Sequence, residues 1–232
     1  KRRLSPTRNR ILFGDSCVSH SLLPVRLPSA PLQTPWHRKS GVITNQVYHL
    51  RTCRSTHTEL IRHGEKVDDD TTGLSDAGKS RANCIADIFS QSSMKPDFIM
   101  AQDYKSNGKR IRPYDTVKPL ADKMGLAVDH SCDRDDEDCA ADLIKRAAGN
   151  GARRILVCWE HKVLSDIAHK LGVDDLDYPS DRFDIVFQMY NGEMQRIFSE
   201  ECPGLDDKFQ GWTGNKDSDL IDDDDWADGA GH

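Results

Sequence analysis

From Thr58 onward, short apolar runs alternate with longer stretches whose apolar residues recur every three or four positions. The first pattern predicts strands and the second helices. Strands are predicted over Glu59 to Arg62, Asp97 to Ala101, part of Gly125 to Cys132, and Arg154 to Trp159. Two further runs, Asp184 to Tyr190 and Glu193 to Phe198, flank Asn191-Gly192, a dipeptide that favours a tight hairpin turn. Ser75 is placed to cap a helix with Ala82, Ile85, Ile88 and Phe89 on one face. A second helix is entered at Pro113 and stopped near Gly125, with Val117, Leu120, Ala121 and Met124 inward and a kink expected at Pro119. A third is predicted from about Cys139 to Ala148, and a fourth from about Lys162 to Leu171, closed by Gly172. Alternation of this kind is the signature of an α/β fold with a mostly parallel sheet, here mixed at one edge.

The pattern fails at both ends. Residues 1–58 hold ten basic side chains against one acid, Asp15, so of the net charge of −6 the remainder carries −15. The basic segment is rich in Pro and Ser, and residues 1–57 read as disordered or wrongly translated. A transit peptide is the alternative, which makes the expected location cytoplasmic, or mitochondrial if that alternative holds. Residues 58–205 form the predicted domain, and 206–232 an acidic, disordered tail around Asp222 to Asp225. No apolar run approaches the eighteen residues of a membrane helix, so no membrane partner is expected. The acidic domain and the lack of interleaved basic and aromatic residues argue against nucleic acid.

Seven cysteines without a CxxC pair suggest reduced thiols. Cys132 and Cys139 flank the run Asp133 to Asp138, and with His130 they offer metal-ligating atoms. Their spacing matches no common zinc pattern, so neither a metal site nor a local disulfide is expected there.

The chemistry is concentrated at strand ends, where open α/β sheets collect ligands. Arg62-His63-Gly64-Glu65 follows the first strand, Arg112 opens the helix after the second, and Glu160-His161 follows the run Ile155 to Trp159. A neutral imidazole attacks phosphorus near pH 7, an adjacent guanidinium grips phosphoryl oxygens, and Gly64 permits close approach of the backbone. Each residue alone is commonplace; their joint placement points to phosphate chemistry.

The strings Leu60-Ile61-Arg62-His63-Gly64-Glu65-Lys66, Gly73-Leu74-Ser75-Asp76-Ala77-Gly78, Arg112-Pro113-Tyr114-Asp115-Thr116 and Cys158-Trp159-Glu160-His161 resemble the histidine phosphatase, or phosphoglycerate-mutase-like, superfamily. The resemblance spans roughly residues 59–205 and is nearest to short fungal phosphoglycerate mutase family proteins. It implies a three-layer α/β sandwich and a metal-independent phosphomonoesterase without cofactor. In that reading His63 becomes phosphohistidine, Arg62, Arg112 and Gly64 bind phosphate, and His161 completes the pocket with added positive charge. A backbone carbonyl near Gly64 would fix the His63 tautomer. The family's proton donor lies about two dozen residues beyond the second arginine, which selects Asp135 over Asp133 and Asp136. Arg110 is the alternative second arginine. The implied partner is a phosphorylated small molecule or phosphoprotein; the resemblance leaves oligomeric state open.

Two departures narrow this reading. Only Lys66 to Thr72 separates the histidine string from Gly73, too little for the mutase segment. With no large helical insert either, the resemblance implies a phosphatase with a shallow, permissive pocket. The second departure is Glu59, a carboxylate in a strand expected to be buried on both faces. It implies either a faulty upstream sequence or reduced stability. A non-catalytic phosphate-binding module of the same fold is the rival reading.

Overall fold

The computed structural model describes residues 55–68 and 70–211, all within one compact unit. The expectations for the basic segment up to residue 54 and for residues 212–232 lie outside the described residues. The strands are β1 His57–Arg62, β2 Phe98–Ala101, β3 Val128–Asp129, β4 Arg154–Trp159, β5 Ile185–Tyr190 and β6 Glu193–Ser199. The helices are α1 Asp76–Phe89, α2 Arg112–Met124, α3 Glu137–Gly149 and α4 His161–Lys170, and a 3-10 turn follows at Asp207–Phe209.

One six-stranded sheet runs in the order β3-β2-β4-β1-β5-β6. The pairs β2–β3, β2–β4 and β1–β4 are parallel, whereas β1–β5 and β5–β6 are antiparallel. Successive side chains of a strand point to opposite faces, and the core divides accordingly. Leu60, Ile155, Val157 and Trp159 pack with Ala140, Ile144, Leu164 and Ile167 of α3 and α4. Ile61, Leu156 and Cys158 pack with Ile85, Phe89, Val117 and Leu120 of α1 and α2. The result is helix, sheet, helix in three layers.

Local chemistry explains the boundaries. Ser75 Oγ accepts from Gly78 N at 3.1 Å, and Asp136 caps α3 by accepting from Cys139 N at 2.9 Å, so the helix begins at Glu137, two residues ahead of the predicted start. Gly125, at φ 66°, ends α2 in the left-handed region that glycine enters without a Cβ clash. The hairpin turn Asn191-Gly192 has positive φ at both residues, as a type I′ turn requires. α2 runs on through Pro119 within a single helix. β3 is two residues long, because the expected stretch to Cys132 leaves the sheet after Asp129.

Glu59 is accommodated where the sequence reading had it misplaced. It is fully buried, and it pairs with Arg154 Nη1 and accepts from Gln188 Nε2 at 2.9 Å. Gln188 Oε1 in turn accepts from Arg196 Nε at 2.8 Å, so Oε1 of the carboxylate sits in a cross-strand polar chain, while Oε2 is buried without a partner.

The expected end of the domain at residue 205 and the default of reduced thiols both need correction. Asp206 is buried and accepts from both Nη atoms of Arg81, at 3.0 and 2.7 Å. The folded unit therefore extends past the predicted boundary. Disulfides join Cys84 to Cys202 and Cys132 to Cys139, with Cα separations of 5.8 and 5.7 Å; Cys158 is free and buried. Both separations suit a disulfide. The first is made by tertiary structure between residues 118 positions apart, which spacing alone does not reveal.

Candidate active site

β1 and β4 lie side by side, with Arg62 opposite Trp159, so the residues that follow them, His63 and His161, emerge at neighbouring strand ends. His63 N donates to Trp159 O at 3.2 Å and extends the ladder by one bond. The next two residues are fixed from behind. A Cβ on Gly64 would stand 2.9 Å from Gly78 O, and one on Gly78 would stand 2.4 Å from Glu65 O. Two glycines thus let the loop after β1 lie directly on the first turn of α1.

The His63 ring is 6% exposed, and its Nδ1 lies 2.8 Å from Gly64 O. A carbonyl only accepts, so Nδ1 carries the proton and Nε2 keeps its lone pair. Burial holds this imidazole far below its ordinary value of 6.5, at about 3, with repulsion from Arg62, Arg112 and His161 adding to the effect. The ring is therefore neutral, in one tautomer, and nucleophilic at Nε2 across the physiological range.

Arg62 is buried, its guanidinium lying 3.9 Å over the Phe183 ring. Nη1 donates to the carbonyls of Ser180 and Arg182, both at 2.6 Å, while the buried Nε has no partner. Arg112, first residue of α2, donates from Nε to Gly73 O at 3.0 Å and from Nη2 to the carbonyls of Asp68 and Thr71, at 2.9 and 2.6 Å. These bonds tie the loop between β1 and α1 across the pocket mouth. Thr116, one turn further along α2, accepts from Gly64 N at 2.9 Å and donates to Arg112 O at 2.8 Å. One hydroxyl thus joins the nucleophile's loop to the helix that presents the second arginine.

His161 opens α4, with Glu160 as the capping residue: Glu160 Oε2 accepts from Lys162 N at 3.1 Å. Glu160 Oε1 lies 2.7 Å from His161 Nδ1, near enough for an ion pair but at an angle that forms no hydrogen bond. Burial first, and then Arg62, lowers His161 below 6.5. This bias favours the neutral ring at pH 7, and a neighbouring anion would favour the charged form expected of it.

Arg62, His63, Arg112 and His161 all line one cavity of about 610 Å³. The β2–α2 and β3–α3 segments contribute to its lining beside the short loop after β1. Two expected site residues do not line it. Gly64 N is committed to Thr116, so Gly64 acts by packing on Gly78 and by accepting from His63 Nδ1, not by holding phosphate. Asp135 is half exposed and paired with Arg134 Nε and Nη2, at 2.6 and 3.0 Å, and with Arg110 Nη2, at 3.1 Å. The hydrogen bonds from Arg134 lower its carboxyl below the ordinary value, and its side chain is turned to these arginines and not to the cavity. Asp133, paired with Lys105 and Arg110, is held at about 2, and Asp136 is occupied as the α3 cap.

Two carboxylates line the cavity, Asp70 and Glu160, and Glu160 is the one adjacent to His161. Its backbone N donates to Oε1 of Gln102, a buried amide at the end of β2 whose Nε2 donates to Arg110 O at 3.3 Å. Sequence reasoning missed Gln102 and Thr116 because a lone amide or hydroxyl carries no signal until its partners are placed. Glu160 was legible beside His161, but its role was not. The imagined metal ligands are otherwise engaged: His130 Nδ1 lies 3.0 Å from Asp103 Oδ1, and Cys132 and Cys139 form a disulfide. Glu200, Cys202 and Asp206 also cluster, but Arg81 takes both carboxylates and Cys84 the sulfur.

The chain matches no protein-family model and no curated protein. Among solved structures it is similar to the protein histidine phosphatase SixA complexed with tungstate, at 12% identity and a TM-score of 0.49, over 62% of this chain and 97% of that one. It is also similar to phosphoglycerate mutase from Bacillus anthracis str. Sterne, at 10% identity and a TM-score of 0.46, over 63% and 93% of the two chains. A third is a mycobacterial glucosyl-3-phosphoglycerate phosphatase in complex with inorganic phosphate, at 14% identity and a TM-score of 0.41, over 57% and 88%.

Proposed function

We propose that this chain is a phosphomonoesterase of the histidine phosphatase superfamily that works through a phosphohistidine at His63 and requires no metal. The observation that carries the reading is the Nδ1–H bond of His63 to Gly64 O, which leaves Nε2 unprotonated in a cavity shared with two arginines. Nε2 attacks phosphorus, the N–P bond forms as the ester P–O bond breaks, and the leaving oxygen takes a proton. Water then attacks the same phosphorus: a P–O bond forms as the N–P bond breaks, the water's proton passes to the carboxylate that protonated the leaving oxygen, and inorganic phosphate leaves neutral His63 behind.

Charge on the three equatorial oxygens would be met by Arg62, whose buried Nε has no other partner, and by Arg112. Such donors cost no reorganisation when charge develops. Approach of the phosphate dianion raises the proton affinity of His161, which can then add positive charge. Glu160 takes the place of Asp135 as the proton donor to the leaving group, since it lines the cavity next to His161. Hydrolysis of p-nitrophenyl phosphate by the full chain, with and without EDTA, tests the reading. Turnover that is indifferent to EDTA and lost in His63→Ala supports it. A protein inert under both conditions, yet raised in melting temperature by phosphate, would instead be a phosphate receptor.

A further inference from the structure

The cavity continues past the groups that attack and hold one phosphate. In the sheet order β3-β2-β4-β1, the loops after β2 and β3 flank the His63–His161 pair on one side only. From that side Lys105, Lys109 and Arg110, between β2 and α2, and Arg134, between β3 and α3, join the lining. Like charges gathered on one wall repel, so such a wall persists where something offsets or uses it.

Part of the offset comes from carboxylates outside the lining. Asp133 accepts from Lys105 Nζ at 2.8 Å and from Arg110 Nη1 at 2.6 Å, and Asp135 is held between Arg110 and Arg134. These pairs brace the cations without closing the cavity. Lys109 lines it with no carboxylate partner among the described residues.

The loop is also built to a fixed shape. Lys105 N donates to Lys109 O at 2.9 Å, Gly108 N donates to Lys105 O at 2.8 Å, and Gln102 Nε2 holds Arg110 O. Arg110 itself sits at φ 69°, a left-handed conformation that is unfavourable for a residue with a Cβ. Strain of this kind persists where the placement of a side chain matters.

We infer that this wall is a second anion subsite, and that the substrate is a small phosphomonoester carrying a second phosphate group. Lys105, Lys109 and Arg110 hold that second phosphate while the first lies against His63. The inference rests on the function proposed above and sharpens it. A phosphate dianion suits a cluster of several cations better than a single carboxylate does, and attachment at two points also orients the reacting group.

Matched alkanediol monophosphates and bisphosphates, with two to six carbons between the oxygens, test it on the full chain. The subsite predicts kcat/KM at least about tenfold higher for the best-fitting bisphosphate than for its monophosphate, an advantage that shrinks as salt is raised. In Lys109→Gln, and more so in Lys105→Gln/Lys109→Gln, the advantage falls to below about threefold, and the loss lies in the bisphosphate constant. Binding to the His63→Ala protein, followed by calorimetry, reads the subsite without turnover, and the same preference and the same losses are expected there. Should the wild type hydrolyse nothing, the proposed function fails while the calorimetric preference still decides on the subsite. Equal affinity for the two ligands, or a preference unmoved by the lysine variants, overturns the inference.

Discussion

Arg62 and Arg81 are both buried, 4% and 2% exposed, and they stand on either side of the same loop, yet their surroundings are opposite. Arg81 is enclosed by acids: Nε and Nη2 donate to Glu65, Nη1 to Glu200 at 2.6 Å, and both Nη atoms to Asp206. Among the described residues Arg62 donates hydrogen bonds only to carbonyl oxygens and lies over an aromatic face; Glu160, Asp181 and Glu65 act on it through space without a hydrogen bond, and its Nε has no partner. An arginine whose donors are all answered by carboxylates is part of the frame. One whose burial is answered only in part is held ready for an anion from outside. Glu65 joins the two regions, since it pairs with Arg81 and lies two residues after His63. Its carbonyl also accepts from Ser75 N and Oγ, at 2.9 and 3.1 Å, so frame and nucleophile are positioned together.

The largest effect should come from the nucleophile. His63→Ala is expected to lower turnover by at least about a thousandfold while the protein stays folded, because it removes the covalent route and not a core packing group. Steady-state kinetics beside a circular-dichroism melt would check both halves.

The comparison itself is tested by one pair of variants. Arg81→Met leaves two buried carboxylates, Glu200 and Asp206, and the partly buried Glu65 without their cation, and should destabilise the fold by about 3–5 kcal/mol, read from urea unfolding. Arg62→Met should instead lower kcat/KM by at least about a hundredfold, with a smaller loss of stability than Arg81→Met. If both variants fail mainly in stability, the distinction between frame and site collapses. Arg112→Ala should match Arg62→Met in rate, and Arg112→Lys should recover little, since an ammonium cannot hold the loop carbonyls and a phosphate together.

A smaller effect separates the two proposed proton donors. Glu160→Gln should slow an alkyl phosphate far more than p-nitrophenyl phosphate, whose phenolate leaves without protonation. Asp135→Asn should change either rate by less than about threefold. The reverse pattern would restore Asp135.

The two regions also titrate in opposite senses. Three carboxylates share one guanidinium, and burial pushes Glu200 up to about 8 against the pull of Arg81. Its folded value is raised, so its contribution to stability is full below about 4.5 and is lost as pH rises to about 8. His63 is lowered to about 3, so its contribution is full above 6.5 and is lost as pH falls toward 3. Between 6.5 and 8 only the Glu200 effect changes, and stability should decline there. Glu200→Gln should flatten that slope in urea unfolding measured pH by pH, and an unchanged slope would reassign it.

Much of this molecule was legible in its sequence, and the parts that were not share a cause. Strand and helix positions followed from periodicity, and His63, Arg62, Arg112 and His161 from their places at strand ends, all of which are local patterns. What escaped was set by residues far apart in sequence. Glu59 is rescued by Arg154 and Gln188, Asp206 is drawn into the fold by Arg81, and Cys202 finds Cys84. Asp135 lies outside the cavity lining and between two arginines, because distance along the chain gives no information on which way a carboxylate faces. The basic density of Lys105, Lys109 and Arg110 was visible as a string, but its role required the knowledge that the loop after β2 borders the loops after β1 and β4.

The central claim is a covalent bond to His63 Nε2. Rapid acid-free quenching during turnover of a labelled phosphomonoester, followed by peptide mapping, tests it most directly. The account predicts an acid-labile, base-stable phosphoryl group on the peptide that contains His63, formed no more slowly than turnover and absent in His63→Ala. Sustained hydrolysis with no label on that peptide, or with the label on another residue, would contradict it.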